Sequence, residues 1–110
     1  MLTFNAFSDL QFDTFVHRPD SLTYALMGIA GEGGEVIEAY KKIMRIHGPT
    51  ELTSVEKARL MDEMGDVLWY ISKAAKLLGG SLEEVAAMNI NKLFNRRMLR
   101  KAAEAARKEN

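Results

Sequence analysis

Two short acidic stretches carry the residue types in this chain that are best suited to chemistry. The first contains Glu32 and Glu35, and the second contains Glu63 and Asp66. In both stretches the two acids are three residues apart, which places them on one face of a helix, one turn from each other. We therefore expect each pair to form half of a single metal site on two helices that pack together.

The chemistry of four carboxylates indicates which ion such a site would hold. Two carboxylates about 4 Å apart repel each other by about 4 kcal/mol at an effective dielectric of 20, and a divalent cation removes this repulsion. Oxygen ligands, without a cysteine or a well-placed histidine, favour Mg²⁺, with Mn²⁺ as a substitute, and leave positions for phosphate oxygens. The alternative interpretation is a solvated acidic face, which is the common role of a single E-x-x-E pair.

The elements that must position these acids are helices. Apolar residues recur at steps of three and four, and the two prolines, Pro19 and Pro49, fall where this period breaks. The pattern predicts helices at about residues 4–16, 22–46, 55–78 and from residue 82 onwards. On the second and third of these helices the acids lie on the same edge of the apolar stripe, so an antiparallel hairpin would bring them together.

Local signals mark the ends of the predicted helices and one anomaly within them. Thr53-x-x-Glu56 and Ser81-x-x-Glu84 fit capping boxes, and a Gly-Gly pair at 79–80 fits a helix stop. The second helix contains four glycines, each of which costs about 1 kcal/mol relative to alanine in a helix interior. We expect them to allow close helix approach or to leave room for a ligand beside the acids. A break in the helix is the alternative. The glycines are Gly28, Gly31, Gly33 and Gly34.

Length and composition predict a single all-α domain spanning residues 1–110, with a basic helical tail at about 96–110 that frays or lies across a partner. Basic and acidic residues number 15 each, so the net charge indicates no nucleic-acid or membrane partner. The chain lacks cysteine, a membrane-length apolar run and a secretory signal pattern. We therefore expect a cytoplasmic protein, whose hydrophobic content of 47% could be covered partly in a subunit interface.

Several motifs in a fixed order resemble the MazG-type nucleoside triphosphate pyrophosphohydrolases. Their signature is E-x-x-E, a spacer and E-x-x-D, and the likeness here covers roughly residues 22–97. The resemblance implies an all-α bundle of four to five helices, completed by dimerisation as a homodimer or homotetramer. It implies Mg²⁺-dependent hydrolysis of (deoxy)nucleoside triphosphates to the monophosphate and pyrophosphate. The matching runs are 31–39 (GEGGEVIEA), 62–70 (DEMGDVLWY), 79–85 (GGSLEEV) and 89–93 (NINKL).

The same resemblance implies roles for individual residues. The metal ligands would be the four acids of the two pairs, and Glu35 or Glu38 would accept the proton of the attacking water. Tyr70, one turn after Asp66, would donate a hydrogen bond to a phosphate. Trp69 either stacks on the nucleobase or packs on another helix or subunit. The residues that would hold the triphosphate from the fourth helix are Asn89, Lys92 and Arg96.

One departure from the family pattern and three other function classes bear on this interpretation. Family members often carry an aromatic residue and a proline soon after the N-x-x-K-L run, whereas this chain continues into a basic helix. A di-iron carboxylate bundle needs two E-x-x-H motifs, which this sequence lacks. The remaining alternatives are a non-catalytic helical module that binds a partner or nucleic acid, and a relative that acts on another pyrophosphate-linked substrate such as phosphoribosyl-ATP.

Overall fold

A computed structural model describes residues 1–12, 19–48 and 51–109, and its regular elements are all helices. The predicted all-α class is therefore confirmed. The second and third helices begin and end within one residue of the predicted bounds. Residues 13–16 of the first predicted helix lie outside the described residues. The four helices are α1 (Phe4–Phe12), α2 (Ser21–His47), α3 (Ser54–Leu77) and α4 (Leu82–Lys108).

The centre of the fold is an antiparallel hairpin of α2 and α3. Its buried apolar residues are mostly alanines, which are Ala25 and Ala39 on α2 and Ala74 and Ala75 on α3, and Ile43 is buried towards the loop. Such small side chains allow the two helix backbones to approach closely. Helix α2 runs unbroken through its four glycines, so the alternative of a helix break is wrong.

Hydrogen bonds hold the loop of this hairpin. The Thr53 side chain accepts a bond from the Glu56 backbone N–H, and the Glu56 carboxylate accepts one from the Thr53 N–H, which confirms the first predicted capping box. His47 Nε2, at the end of α2, lies 2.8 Å from Glu56 Oε2. The backbone bond from Thr53 and the bond to His47 together lower the pKa of Glu56. The end of α2 is thus tied to the start of α3.

The junction between α3 and α4 follows the predicted signals. Gly79 has a φ of 83°, a left-handed conformation that favours glycine, and the Gly80 N–H donates to the Ala75 carbonyl at 2.8 Å. The Ser81 hydroxyl then accepts a hydrogen bond from the Glu84 N–H at 3.1 Å, which caps α4. The Gly-Gly stop and the serine cap are therefore both observed.

Helix α1 packs against α3 through polar groups. The hydroxyls of Ser8 and Ser72 are 2.6 Å apart and buried, and Asp9 lies 3.6 Å from Lys76. At the start of α1, the Asn5 amide donates to Glu83, at the beginning of α4. Helix α1 therefore contacts the C-terminal half of α3 and the start of α4.

Helix α4 has little contact with the rest of the chain. It continues as a regular helix to Lys108 without fraying, yet Leu82 is its single buried residue. Within the described residues α4 packs on α1 and α3 and has no contact with α2. The structure exposes 8476 Å², compared with about 6,100 Å² expected for a compact monomer of this mass. Its radius of gyration of 18.9 Å also exceeds the expected value of about 13 Å.

Among the described residues, no helix is both long and apolar enough to cross a membrane.

Candidate metal and nucleotide site

The α2–α3 hairpin brings three of the four predicted acids into one group. Carboxylate oxygens of Glu32, Glu63 and Asp66 all lie within 4.8 Å of one another. Glu32 and Glu63 are half-buried, and Asp66 is exposed. Glu35, one turn beyond Glu32, is exposed and lies outside this group. The matched edges of the two helices therefore meet as expected, while the role of each acid as a metal ligand stays a prediction.

The electrostatics of this group favour a cation. Partial burial raises the pKa of Glu32, and the negative charges of Asp66, Glu35 and Glu63 raise it further. Glu35 is therefore near enough to interact with the group although it is not part of it. A set of three half-solvated carboxylates with converging oxygens fits a hard divalent ion such as Mg²⁺ or Mn²⁺, which takes oxygen ligands.

Aromatic side chains form the wall beside the acids. Trp69 and Tyr70 line a shallow cavity of about 300 Å³ together with Glu32 and Asp66. The ring of Tyr70 lies on Gly28 of α2, where a β-carbon would overlap it. A hydrogen bond with Tyr24 raises the pKa of Tyr70, as do its burial and the nearby negative charges. The Tyr70 phenol is thus neutral and held in place at the edge of the acidic group.

The glycines of α2 divide into two kinds. Gly28 is required by the close approach of Tyr70, which is the helix contact that the sequence predicted. A β-carbon added at Gly31, Gly33 or Gly34 would meet nothing within 4 Å. These three positions therefore leave open space beside the acids. Among the glycines of α2, only Gly28 is explained by packing within the single chain.

The remaining predicted residues lie apart from this cavity. Asn89 and Lys92 line a second hollow, on α4, together with Val85 and Met88. Arg96 is exposed further along the same helix. Glu38 is exposed on α2, one turn beyond Glu35. Within one chain, the described structure therefore does not bring the α4 residues to the acids.

Two residues beside the cavity were not predicted from the sequence. Tyr24, Gly28 and Glu32 follow one another at steps of four, so this spacing could have placed Tyr24 on the face of the acid. Lys73 is two turns beyond Asp66, and its ammonium lies 5.7 Å from the centroid of the Trp69 ring. For Lys73, the sequence signal is its position two turns after Asp66, on the same face of α3.

Comparison with known proteins agrees with this arrangement. A family model described as the MazG nucleotide pyrophosphohydrolase domain matches residues 20–99, which include both acid pairs and the first two thirds of α4. The Gene 37 protein of Mycobacterium phage L5 is 37% identical over 78 residues, which are 71% of this chain and 68% of that protein. No solved structure matches the chain significantly. The family expected from the motifs is therefore confirmed, and the chain belongs to the MazG nucleotide pyrophosphohydrolase domain family.

Proposed function

We propose that this protein hydrolyses (deoxy)nucleoside triphosphates to nucleoside monophosphates and pyrophosphate in a Mg²⁺-dependent reaction, and so controls or cleanses the nucleotide pool. The observation that carries the proposal is the convergence of Glu32, Glu63 and Asp66, the first and last of which line a cavity together with Trp69 and Tyr70. An acidic group beside aromatic rings suits a ligand with phosphates at one end and a flat base at the other.

In this proposal the three grouped carboxylates hold Mg²⁺, and Glu35 joins them as a fourth ligand when the ion is bound. The bound ion would supply positive charge that neutralises the phosphate oxygens and the departing pyrophosphate. Trp69 would stack on the base. The Tyr70 hydroxyl would exchange its hydrogen bond with Tyr24 for one that it donates to a phosphate oxygen.

The reaction also needs a group that accepts the proton of the attacking water. The water oxygen bonds to the α-phosphorus, the bond from that phosphorus to the bridging oxygen breaks, and pyrophosphate leaves. Glu35 and Glu38 are the proposed acceptors: Glu35 is near enough to the acidic group to raise the pKa of Glu32, and Glu38 is an exposed carboxylate one turn further along α2. If Glu35 serves as a ligand, Glu38 is left as the base.

We also propose that a second copy of the chain completes the site. Asn89, Lys92 and Arg96 lie on one face of α4, at steps of three and four residues. Ile90, Phe94 and Met98 form an exposed apolar stripe, at steps of four, on the other face. This stripe would pack on a second copy, as a homodimer or a pair of homodimers, and the assembly would then hold the cationic face of α4 towards a triphosphate. The exposed large apolar residues on α4 are Val85, Met88, Ile90, Leu93, Phe94, Met98 and Leu99.

The surface area supports such an assembly. A stable interface typically buries about 800 Å² on each partner. The excess of the exposed surface over that of a compact monomer, which is about 2,300 Å² on the scaling used above, is more than enough to supply it. Covering the apolar stripe of α4 would remove much of this excess.

The decisive experiment is to incubate the protein with Mg²⁺ and each common NTP and dNTP in turn, and to separate pyrophosphate from orthophosphate among the products. Pyrophosphate with monophosphate, abolished by a chelator and in Glu35→Gln and Glu63→Gln, is the expected result. Release of orthophosphate alone would contradict cleavage at the α-phosphorus. The absence of product with every nucleotide would favour phosphoribosyl-ATP or another pyrophosphate-linked substrate, or a non-catalytic binding module.

A further inference from the structure

Lys73 is a buried lysine beside the cavity. Its residue exposure is 2%, although lysines are almost never fully buried unless they are paired. Its ammonium lies over the ring of Trp69, 5.7 Å from the ring centroid. Long side chains on a helix lean towards its N-terminus, so Lys73 reaches back by one turn onto Trp69.

The Trp69 ring is held from a second direction as well. The ring of Tyr70 meets it edge to face, with the centroids 4.8 Å apart and an interplanar angle of 76°. Tyr70 itself is seated on Gly28 and lies 6.2 Å from the ring of Tyr24. The indole is therefore in contact with both a cation and an aromatic ring that is anchored on α2.

The surroundings of Lys73 are polar for a buried position. Four of the five buried polar residues in the described chain belong to the contact between α1 and α3 or its immediate neighbourhood. In this contact the hydroxyls of Ser8 and Ser72 are hydrogen-bonded to each other, and Ser72 precedes Lys73 in the chain. A polar neighbourhood is less unfavourable for a buried ammonium than an apolar one. The four residues are Ser8, Gln11, Ser72 and Lys73.

We propose that Lys73 is a positioning residue that locks Trp69 as the platform on which the nucleobase stacks. This inference rests on the proposed function, because Trp69 needs to be rigid only if it receives a base. The ammonium covers one face of the indole through a cation–π contact, which is strongest when it is shielded from water. A base entering the cavity then meets a ring that is already fixed, so less conformational freedom is lost on binding.

Trp69 is the single tryptophan of the chain, so fluorescence excited at wavelengths that tyrosine does not absorb reports on this ring alone. The test compares Lys73→Met, which removes the charge at similar length, with Lys73→Arg, which keeps a cation able to stack on the ring. Lys76→Met is the matched control, because Lys76 is on the same helix but pairs with Asp9 on the exposed side. The full-length protein and the dNTP that it hydrolyses fastest are used throughout.

In Lys73→Met we expect a shifted emission maximum and at least twofold greater quenching by acrylamide in the free protein. We also expect a rise of about fivefold in KM, consistent with the loss of a shielded cation–π contact, while kcat stays within twofold. Lys73→Arg should have the emission, the quenching and the KM of the wild type, and so should Lys76→Met. Lys73→Gln, neutral but polar, replaces Lys73→Met if the latter does not fold, with the same expected changes.

Unchanged emission and unchanged KM in a folded Lys73→Met or Lys73→Gln would overturn the inference. So would an equal fall in kcat in the Met and Arg variants, which would indicate a general structural role. If the wild type hydrolyses no nucleotide, the proposed function fails. The emission and quenching of the free variants would still decide whether Lys73 holds Trp69.

Discussion

Each helix of the α2–α3 hairpin is about as long as helix α4, but the hairpin and α4 differ in how they are stabilised. In the hairpin, buried alanines, a capping box and the His47–Glu56 bond hold two helices together within one chain. Helix α4 has 27 residues, of which Leu82 alone is buried. The hairpin places its acids without help, whereas α4 presents its polar and apolar faces to solvent.

This difference indicates that the hairpin and α4 have different roles in the proposed function. The proposed metal ligands and the aromatic wall belong to the hairpin, where packing inside the chain determines their geometry. The proposed triphosphate-binding residues belong to the region that a second copy would have to position. Changes in the hairpin should therefore affect chemistry or folding in each subunit, and changes in α4 should affect assembly first.

The largest expected effect comes from the acidic group. Glu63→Gln keeps the shape of the side chain but removes a charge from the group, so turnover should fall by at least about a hundredfold, as when a transition-state charge stabiliser is lost. The circular dichroism spectrum should not change. Asp62→Asn is the matched control, because Asp62 is the exposed neighbour outside the group. Equal losses in the two variants would contradict a site built on Glu63.

The second-largest expected effect is on assembly, and it comes from a change in α4 and not in the hairpin. Phe94→Glu places a charge in the exposed apolar stripe, so the dissociation constant of the assembly should rise at least about thirtyfold, as for an interface hot spot. Sedimentation velocity over a range of protein concentrations measures this constant. Ala103→Glu adds the same charge on the other face of α4 and should leave the assembly intact. A wild-type protein that is monomeric at every concentration would refute the proposed second copy.

A smaller effect distinguishes the two kinds of glycine in α2. Gly28→Ala forces Tyr70 to move, so the free energy of unfolding should fall by about 1–3 kcal/mol. Gly34→Ala meets open space and should raise it by about 0.5–1 kcal/mol through helix propensity. Urea unfolding at neutral pH compares the two. A destabilised Gly34→Ala would indicate that this surface is covered in the assembled protein.

The smallest effect is a dependence of stability on pH. The pKa of Glu32 is raised above 4.5 in the folded protein, so the folded chain binds more protons than the unfolded chain between the two pKa values. Without divalent ions, stability should therefore fall as the pH rises through that interval, and more weakly in Glu32→Gln. At neutral pH, Mg²⁺ should raise the thermal midpoint of the wild type.

The controls for this prediction are Glu51→Gln, in the exposed hairpin loop, and the addition of Mg²⁺ to Glu32→Gln. The first should keep the pH profile of the wild type. In the second control, Mg²⁺ should raise the thermal midpoint of Glu32→Gln by less than it raises that of the wild type. An equal rise in both proteins would mean that Mg²⁺ binds elsewhere.

Much of the local structure could be predicted from the sequence because its signals act over a few residues. Helical periodicity, the Thr53 and Ser81 caps and the Gly79-Gly80 stop depend on neighbours in the chain, and they placed α2 and α3 within one residue of their observed ends. The spacing of the acids also predicted which helix edges would meet, and the order of the motifs indicated the family.

What only the tertiary structure decided depends on contacts between distant residues. It placed Glu32, but not Glu35, in one group with Glu63 and Asp66. It separated Gly28, which a tyrosine ring requires, from the other glycines of α2, and it brought the ammonium of Lys73 onto Trp69. Spacing along a helix determines which face a residue occupies, but the distance and angle between two helices determine which side chains on those faces meet.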